Sequence, residues 1–450
     1  MNIGSEMQEI SSNNKRIAKN TLLLYFRMLV TMAVSLYTSR VVLNILGVED
    51  FGIYNVVGGI VAMFGFINGS MTSATQRYLT FELGQNNRAQ LTKVFSTSLS
   101  IHGIISFLII VLAETVGLWF LWNKMQIPAD RMNAAFWVFQ CSVAASVIMI
   151  MSVPYNAAII AHERMSAFAY ISIIEVSLRL LIVCFLRYFH TDKLILYAAL
   201  IVIVQFLIRL CYSWYCNRHF NETKYRWSWD KGLFKEMTGF ASWNMFGSLA
   251  AITFTQGLNL LLNMFFGPVV NAARGIAVQA QTAIGQFSSN FQTALNPQIT
   301  KSYATGDMEY MHGLIFRSAK FSFFLLLLLS LPVLIETKAI LTLWLKIVPD
   351  HTVVFLRIML CTTWVYAVSN PLITAASATG KIKLYQSVVG GLLLLILPIS
   401  YLCLRFGLPA YSVFIVHFVM EITAQFARLL MLRRMIRLSL REYFAKVIWS

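Results

Sequence analysis

Long apolar runs recur along this chain from residue 17 to residue 435, separated by short polar connections. A helix needs about 20 such residues to cross the hydrocarbon core of a bilayer. In lipid, every backbone N–H and C=O must also be paired inside the spanning structure, which leaves only helices and closed barrels. The alternating ten-residue pattern of a barrel strand is missing. Charged residues make up 12% of the chain against 58% hydrophobic, roughly half the charged share of a soluble domain. The expected fold class is therefore an all-α polytopic membrane protein.

The runs predict twelve spans, at 17–46, 51–80, 92–122, 132–160, 166–189, 192–216, 233–265, 270–300, 313–336, 350–377, 381–405 and 408–435. No small-residue cleavage site follows the first run, which reads as a retained span and not a signal peptide. Residues 1–16 form a polar tail, 217–232 a polar linker with Trp227 and Trp229 suited to the interface, and 436–450 a basic tail.

The net charge of +17 would suggest nucleic acid in a soluble protein. Here the cytoplasmic bias of Lys and Arg accounts for it, and no nucleic-acid partner is expected. Of 36 Lys and Arg residues, 23 fall on the side of the N-terminus, 10 on the other, and Arg27, Arg179 and Arg209 lie deeper in helices. Both termini are expected in the cytoplasm. The six cysteines sit in or beside apolar runs without a CxxC pair, so neither a disulfide nor a metal site is expected.

The two halves resemble each other. ETVGLWFLW (114–122) matches ETKAILTLW (336–344), and VVLNILG (41–47) matches LLLNMFFG (260–267). Pro154 and Pro371 each precede a basic loop, HERM and TGKIK. Six spans per half is an even number. Two six-helix lobes, 17–216 and 233–435, are therefore expected to share one orientation about a pseudo-twofold axis along the membrane normal.

Polar residues inside the spans mark the candidate site. In LLLYFRMLV (22–30), Arg27 sits about 15 Å along the first helix from Ile17. An intramembrane charge costs at least ~2.5–3.5 kcal/mol. Asn20, Arg27, Thr31, Ser35 and Thr38 share one helical face. Arg27 either meets an anion in a cavity or bonds a neighbouring helix's carbonyls.

Span two carries Asn55, Gly58, Gly65, Gly69, Thr72 and Gln76 on one face, and span eight carries Arg274, Gln281, Gly285, Ser288, Gln292 and Asn296. Cavity lining and close helix packing both fit these stripes. Glu175 and Arg179 have the spacing of an intrahelical ion pair. His417, Glu421, Gln425 and Arg428 share a face of span twelve. Glu175, His417 and Glu421 are candidates for coupling to H⁺ or Na⁺. Arg428 and Arg209 lie close enough to an end to snorkel.

The motifs GxxxxGK[ST], GxSxG and HExxH are missing. Neither enzymatic chemistry nor an ATP-driven cycle within this chain is expected, and no cofactor.

The stretch NILGVEDFGIYNVVGGIVAMFGFINGSMTSATQRYLTFELGQNN (44–87) resembles the polysaccharide transporters of the O-antigen flippase type. These belong to the multidrug/oligosaccharidyl-lipid/polysaccharide (MOP) exporter superfamily. Leu46, Gly47, Phe51, Gly52 and Tyr54 carry the likeness most plainly. It implies a MATE/MOP-like fold in the bacterial inner membrane, alternating access, and undecaprenyl-diphosphate-linked oligosaccharide as substrate. Membrane lipids, a polysaccharide polymerase and other assembly proteins would be its partners.

The related lipid II flippases carry cavity arginines on the first helix and near the start of the eighth, where Arg27 and Arg274 stand here. Their acidic residue late in the first helix has no counterpart in YTSRV, which offers Arg40 instead. Lipid II itself is thus disfavoured. The rival expectation is a cation-coupled multidrug exporter of the same superfamily.

Overall fold

The computed structural model describes residues 3–448, apart from 63–64, 124, 126, 190, 225–229 and 346–347. Among the described residues the secondary structure is entirely helical, without a strand. The chain runs through α1 (Ile3–Ala62), α2 (Gly65–Gly84), α3 (Arg88–Leu112), α4 (Leu118–Asn123), α5 (Met132–Ala161), α6 (Met165–Leu186) and α7 (Lys193–His219). It continues through α8 (Lys231–Phe266), α9 (Pro268–Thr305), α10 (Met308–Ile335), α11 (Thr337–Leu345), α12 (Thr352–Ala378), α13 (Lys383–Arg405), α14 (Ser412–Met435) and α15 (Leu440–Tyr443).

Ten helical stretches among the described residues are long and apolar enough to cross a membrane. They coincide with ten of the twelve expected spans. The other two are span two, which runs across residues 63–64, and span eight, which is α9. That helix is 38 residues long, but Gln, Asn, Ser and Thr dilute its apolar content. The outward faces carry large apolar side chains, including Phe107, Trp214, Phe321 and Leu328, each more than half exposed. On a soluble protein so much exposed apolar surface would drive association; in lipid it is at home.

The polar residues after Ile3 are helical and continuous with α1. Within the basic C-terminal stretch, Tyr443 is fully buried and packs edge-on against Phe316. Trp227 and Trp229 lie outside the described residues.

The chain divides into two compact units, Met1–Gly239 and Phe240–Ser450. In the first, α5 is central and packs against α1, α2, α3 and α7. Its alanines Ala134, Ala135, Ala157, Ala158 and Ala161 are buried, and small side chains let neighbouring helices approach. In the second, α12 holds the same position against α9, α10 and α14, again through buried alanines.

The sequence repeat is also a backbone repeat. Pro154 of α5 is followed nine residues later by Glu163 at φ 57°, and Pro371 of α12 nine residues later by Gly380 at φ 74°. Asn86 and Gly306 end α2 and α9 at φ 54° and 79°. In each case the next residue caps the following helix. Asn87 accepts from the Gln90 amide, and Asp307 from that of Tyr310. These side chains satisfy amides that the first helical turn leaves open.

Candidate functional site

The first unit gathers charge in the seam of α1, α6 and α7. The Arg27 guanidinium lies 4.5 Å from the centre of the Phe168 ring on α6. One helical repeat along α6, Glu175 accepts hydrogen bonds from Arg179 Nη2 (2.6 Å) and from Gln205 Nε2 of α7 (3.1 Å). Arg27 is within electrostatic reach of Glu175 and Tyr212. Arg209, four residues beyond Gln205, stands 5.5 Å from the Tyr155 ring.

Arg27 and Arg179 thus share a seam with one carboxylate, Glu175, and Arg209 stands one turn along α7 from Gln205. Arg27 Nε, Arg179 Nε and Arg209 Nη1 are each buried without a hydrogen-bond acceptor. A buried donor left unpaired is unfavourable, more so when charged. The seam is accessible even so: the Arg179 side chain is 40% exposed and that of Glu175 24%. Excess positive charge, unmet donors and access together favour an anion that presents several oxygens. The expected snorkelling of Arg209 is only partial, because its Nη1 is closed off from water.

The second unit holds a partly open cavity of about 430 Å³, bordered by Gln281, Gly285, Tyr366, His417, Glu421 and Arg428 among others. Glu421 and Arg428 form a buried ion pair at 2.6 Å, their side chains 5% and 3% exposed. This corrects the expectation that Arg428 snorkels. Seven residues apart, the two lie on one face of α14, and the long Arg side chain folds back toward the carboxylate.

Arg428 also donates from Nε to Tyr385 Oη (3.2 Å) and from Nη1 to Ser369 Oγ (3.0 Å). Ser369 and Gln425 are hydrogen-bonded in turn, and Gln425 donates to Tyr443 Oη at the C-terminal end. The network therefore runs from the cavity wall to α15. His417 sits against the Phe254 ring, centroids 4.9 Å apart.

The remaining predicted residues fall in varied settings. Gln281 borders the cavity, and its amide donates to Thr363 Oγ1 (2.8 Å) and the Met359 carbonyl (3.3 Å), tying α9 to α12. Gln292 is 1% exposed and committed to Ser318 and Ser322 of α10. Arg274, 6% exposed, donates to Asn259 and to the Thr255 carbonyl on α8, while its Nε finds no acceptor.

Thr31 donates to the Met28 carbonyl of its own helix. Arg40 is exposed, Gln76 half-buried, and the side chain of Asn55 lies outside the described residues. The structure thus brings Arg27 and Glu175 into one cluster, and Gln281, His417 and Glu421 around one cavity. Sequence reasoning missed Gln205, Tyr212, Tyr366, Ser369 and Tyr385, isolated polar residues in apolar runs with no periodic signal.

The sequence profile described as "Polysaccharide biosynthesis protein" matches residues 17–303, well over half of the chain. The chain belongs to that family. Among curated proteins none matches it.

Solved structures show the fold. An outward-facing multidrug resistance MATE family transporter of the MOP superfamily is 12% identical, with a TM-score of 0.81 over 94% of this chain and 96% of that one. The MATE transporter VcmN of Vibrio cholerae in its bent form is 16% identical, with a TM-score of 0.80 over 95% and 98%. A MOP superfamily transporter from Pyrococcus furiosus, described as having a binding pocket of reverse polarity, is 13% identical with a TM-score of 0.73 over 94% and 96%. This polysaccharide biosynthesis family member thus has the fold of the MOP superfamily transporters.

Proposed function

We propose that this protein is a flippase that carries a lipid-linked oligosaccharide bearing a diphosphate across the bacterial inner membrane, with both termini in the cytoplasm. The observation that carries the reading is the seam of Arg27 and Arg179, each with a buried Nε–H unmet, where one carboxylate, Glu175, stands against two cations. A diphosphate supplies acceptor oxygens in the planar geometry that guanidinium groups bind best. The family match links the chain to polysaccharide biosynthesis, and the fold is that of transporters that expose a central site to each side of the membrane in turn.

Coupling follows from the same cluster. A diphosphate that engages Arg27 and Arg179 loosens the hold of Arg179 on Glu175, and the released carboxylate takes up H⁺ or Na⁺. Glu421 and His417 are the corresponding candidates in the second unit, where Glu421 is already held by Arg428.

The test replaces Arg27 with Ala and with Lys and measures surface polysaccharide at matched protein levels. Loss in Arg27→Ala with partial retention in Arg27→Lys is expected. Full export by both variants would remove the cluster from the mechanism. A second reading, cation-coupled multidrug efflux, draws on the fold shared with multidrug transporters. A basic seam repels cationic drugs, so deletion of the gene should leave drug susceptibility unchanged.

A further inference from the structure

The cavity of the second unit differs in chemistry from the arginine seam. At about 430 Å³ it falls within the ~300–1,000 Å³ of small-ligand sites. Among the described residues, the one carboxylate and the one guanidinium on its wall, Glu421 and Arg428, neutralise each other at 2.6 Å.

What remains is an uncharged set of donors and acceptors. The side chains of Gln286, Ser288, Ser289, Tyr366 and Asn370 border the space, and none of them has a hydrogen-bond partner among the described residues. The rings of Phe254 and Tyr366 supply flat apolar walls. Amides and hydroxyls with spare capacity, beside aromatic faces and without net charge, match a neutral polyhydroxylated ring. Such a ring offers hydroxyls at its rim and C–H groups on its faces. A diphosphate finds no unpaired guanidinium on this wall.

We infer that this cavity is a saccharide subsite, holding a sugar of the carried oligosaccharide separately from the anion-binding seam. The assignment rests on the flippase reading and concerns the second unit by itself: its cavity suits hydroxyls, where the seam of the first unit suits charge. Gly285 gives a direct handle. A Cβ added there meets only Thr363 Cγ2, at 3.8 Å, an ordinary contact. Alanine is therefore accommodated, whereas a phenylalanine ring extends into the cavity.

The experiment uses the full-length protein purified in a detergent without a sugar headgroup. Saturation-transfer NMR follows binding of free N-acetylglucosamine, galactose, glucose and rhamnose, and ³¹P NMR follows inorganic pyrophosphate. At least one sugar is expected to bind wild type and Gly285→Ala, and to bind Gly285→Phe about tenfold more weakly or worse. Arg27→Ala should leave sugar binding intact and weaken pyrophosphate binding.

Absence of binding by all four sugars, or equal sugar binding by Gly285→Phe and wild type, overturns the assignment. Pyrophosphate binding that ignores Arg27→Ala while the sugar results hold overturns the arginine-seam reading alone. A thermal melt of each variant separates loss of the site from loss of the fold.

Discussion

Gly47 and Gly267 hold the same backbone conformation at equivalent points of the two units, φ 80°, ψ 173° in one and φ 78°, ψ −173° in the other. Each closes a span and starts the next helix without an intervening loop. This region of backbone space is essentially restricted to glycine. An added Cβ would meet nothing within 4 Å at either position, so the effect of alanine is backbone strain alone. Gly47→Ala and Gly267→Ala should each destabilise the protein by about 1–3 kcal/mol. Gly275→Ala, inside α9 and equally open, should be neutral or stabilise by up to ~1 kcal/mol. Thermal unfolding in detergent reads all three. Equal midpoints throughout would show that the turn does not depend on its glycine.

The sequence announced this turn in part, because VVLNILG and LLLNMFFG recur with their glycines 220 residues apart. Spans were legible wherever hydropathy alone decides them. Side-chain partners were harder to read. Glu421 and Arg428 share a face at a spacing of about 10.5 Å along the helix, which sequence periodicity treats as two separate positions. Nearness to the span end suggested an Arg428 reaching outward, and only tertiary packing shows it turned inward. The stripe of α9 was equally ambiguous. Gln281 borders the cavity while Gln292, on the same stripe, is used up by Ser318 and Ser322 of α10. Which neighbour faces a given turn of helix is not encoded in periodicity.

The Glu421–Arg428 pair yields a second prediction. Removing one partner of a buried ion pair strands the other charge and typically costs about 3–5 kcal/mol. Arg428→Met and Glu421→Gln should each approach that loss, and the double variant should recover much of it, because neither charge is then left alone. Arg428→Met also frees Tyr385 and Ser369, so it should be the more damaging single change. Unfolding midpoints arranged as a double-mutant cycle measure the coupling. Additive losses would mean that the two charges do not depend on each other.

A third prediction concerns pH. Glu222 lies in the 3₁₀ turn Asn221–Thr223, outside the spans, with Oε1 2.5 Å from His162 Nε2. His162 is in turn stacked on Phe220 at 4.0 Å. Burial acts to raise the Glu222 carboxyl, but the hydrogen bond from His162, a backbone hydrogen bond and the nearby charges of His162 and Arg88 together outweigh it and hold the group below its ordinary 4.5. For a depressed carboxylate, the stabilisation is complete above the unfolded value and is lost as pH falls through the folded one. The first unit should therefore lose stability as pH drops below about 4.5. Glu222→Gln should be less stable than wild type near neutrality and show a shallower acid loss. Thermal midpoints taken from neutral pH downward decide this, and parallel curves for the two proteins would count against the latch.

The last prediction reverses the usual expectation for removing a charge at a binding site. Glu175 is the one carboxylate in contact with Arg179, and it stands close to Arg27. If the seam binds a diphosphate, Glu175 competes with that ligand for the same guanidinium groups. Glu175→Gln keeps the shape and a hydrogen-bond acceptor but removes the competing charge. Pyrophosphate affinity should then rise several-fold, worth about 1 kcal/mol, with a steeper dependence on salt because one more positive charge is left uncompensated. Transport should fall at the same time, since the carboxylate proposed to take up the coupling ion is gone. Tighter binding with slower export would separate the two roles of the seam. Weaker pyrophosphate binding in Glu175→Gln would instead show that the carboxylate positions the arginines, and that the anion site is built from the ion pair as a unit.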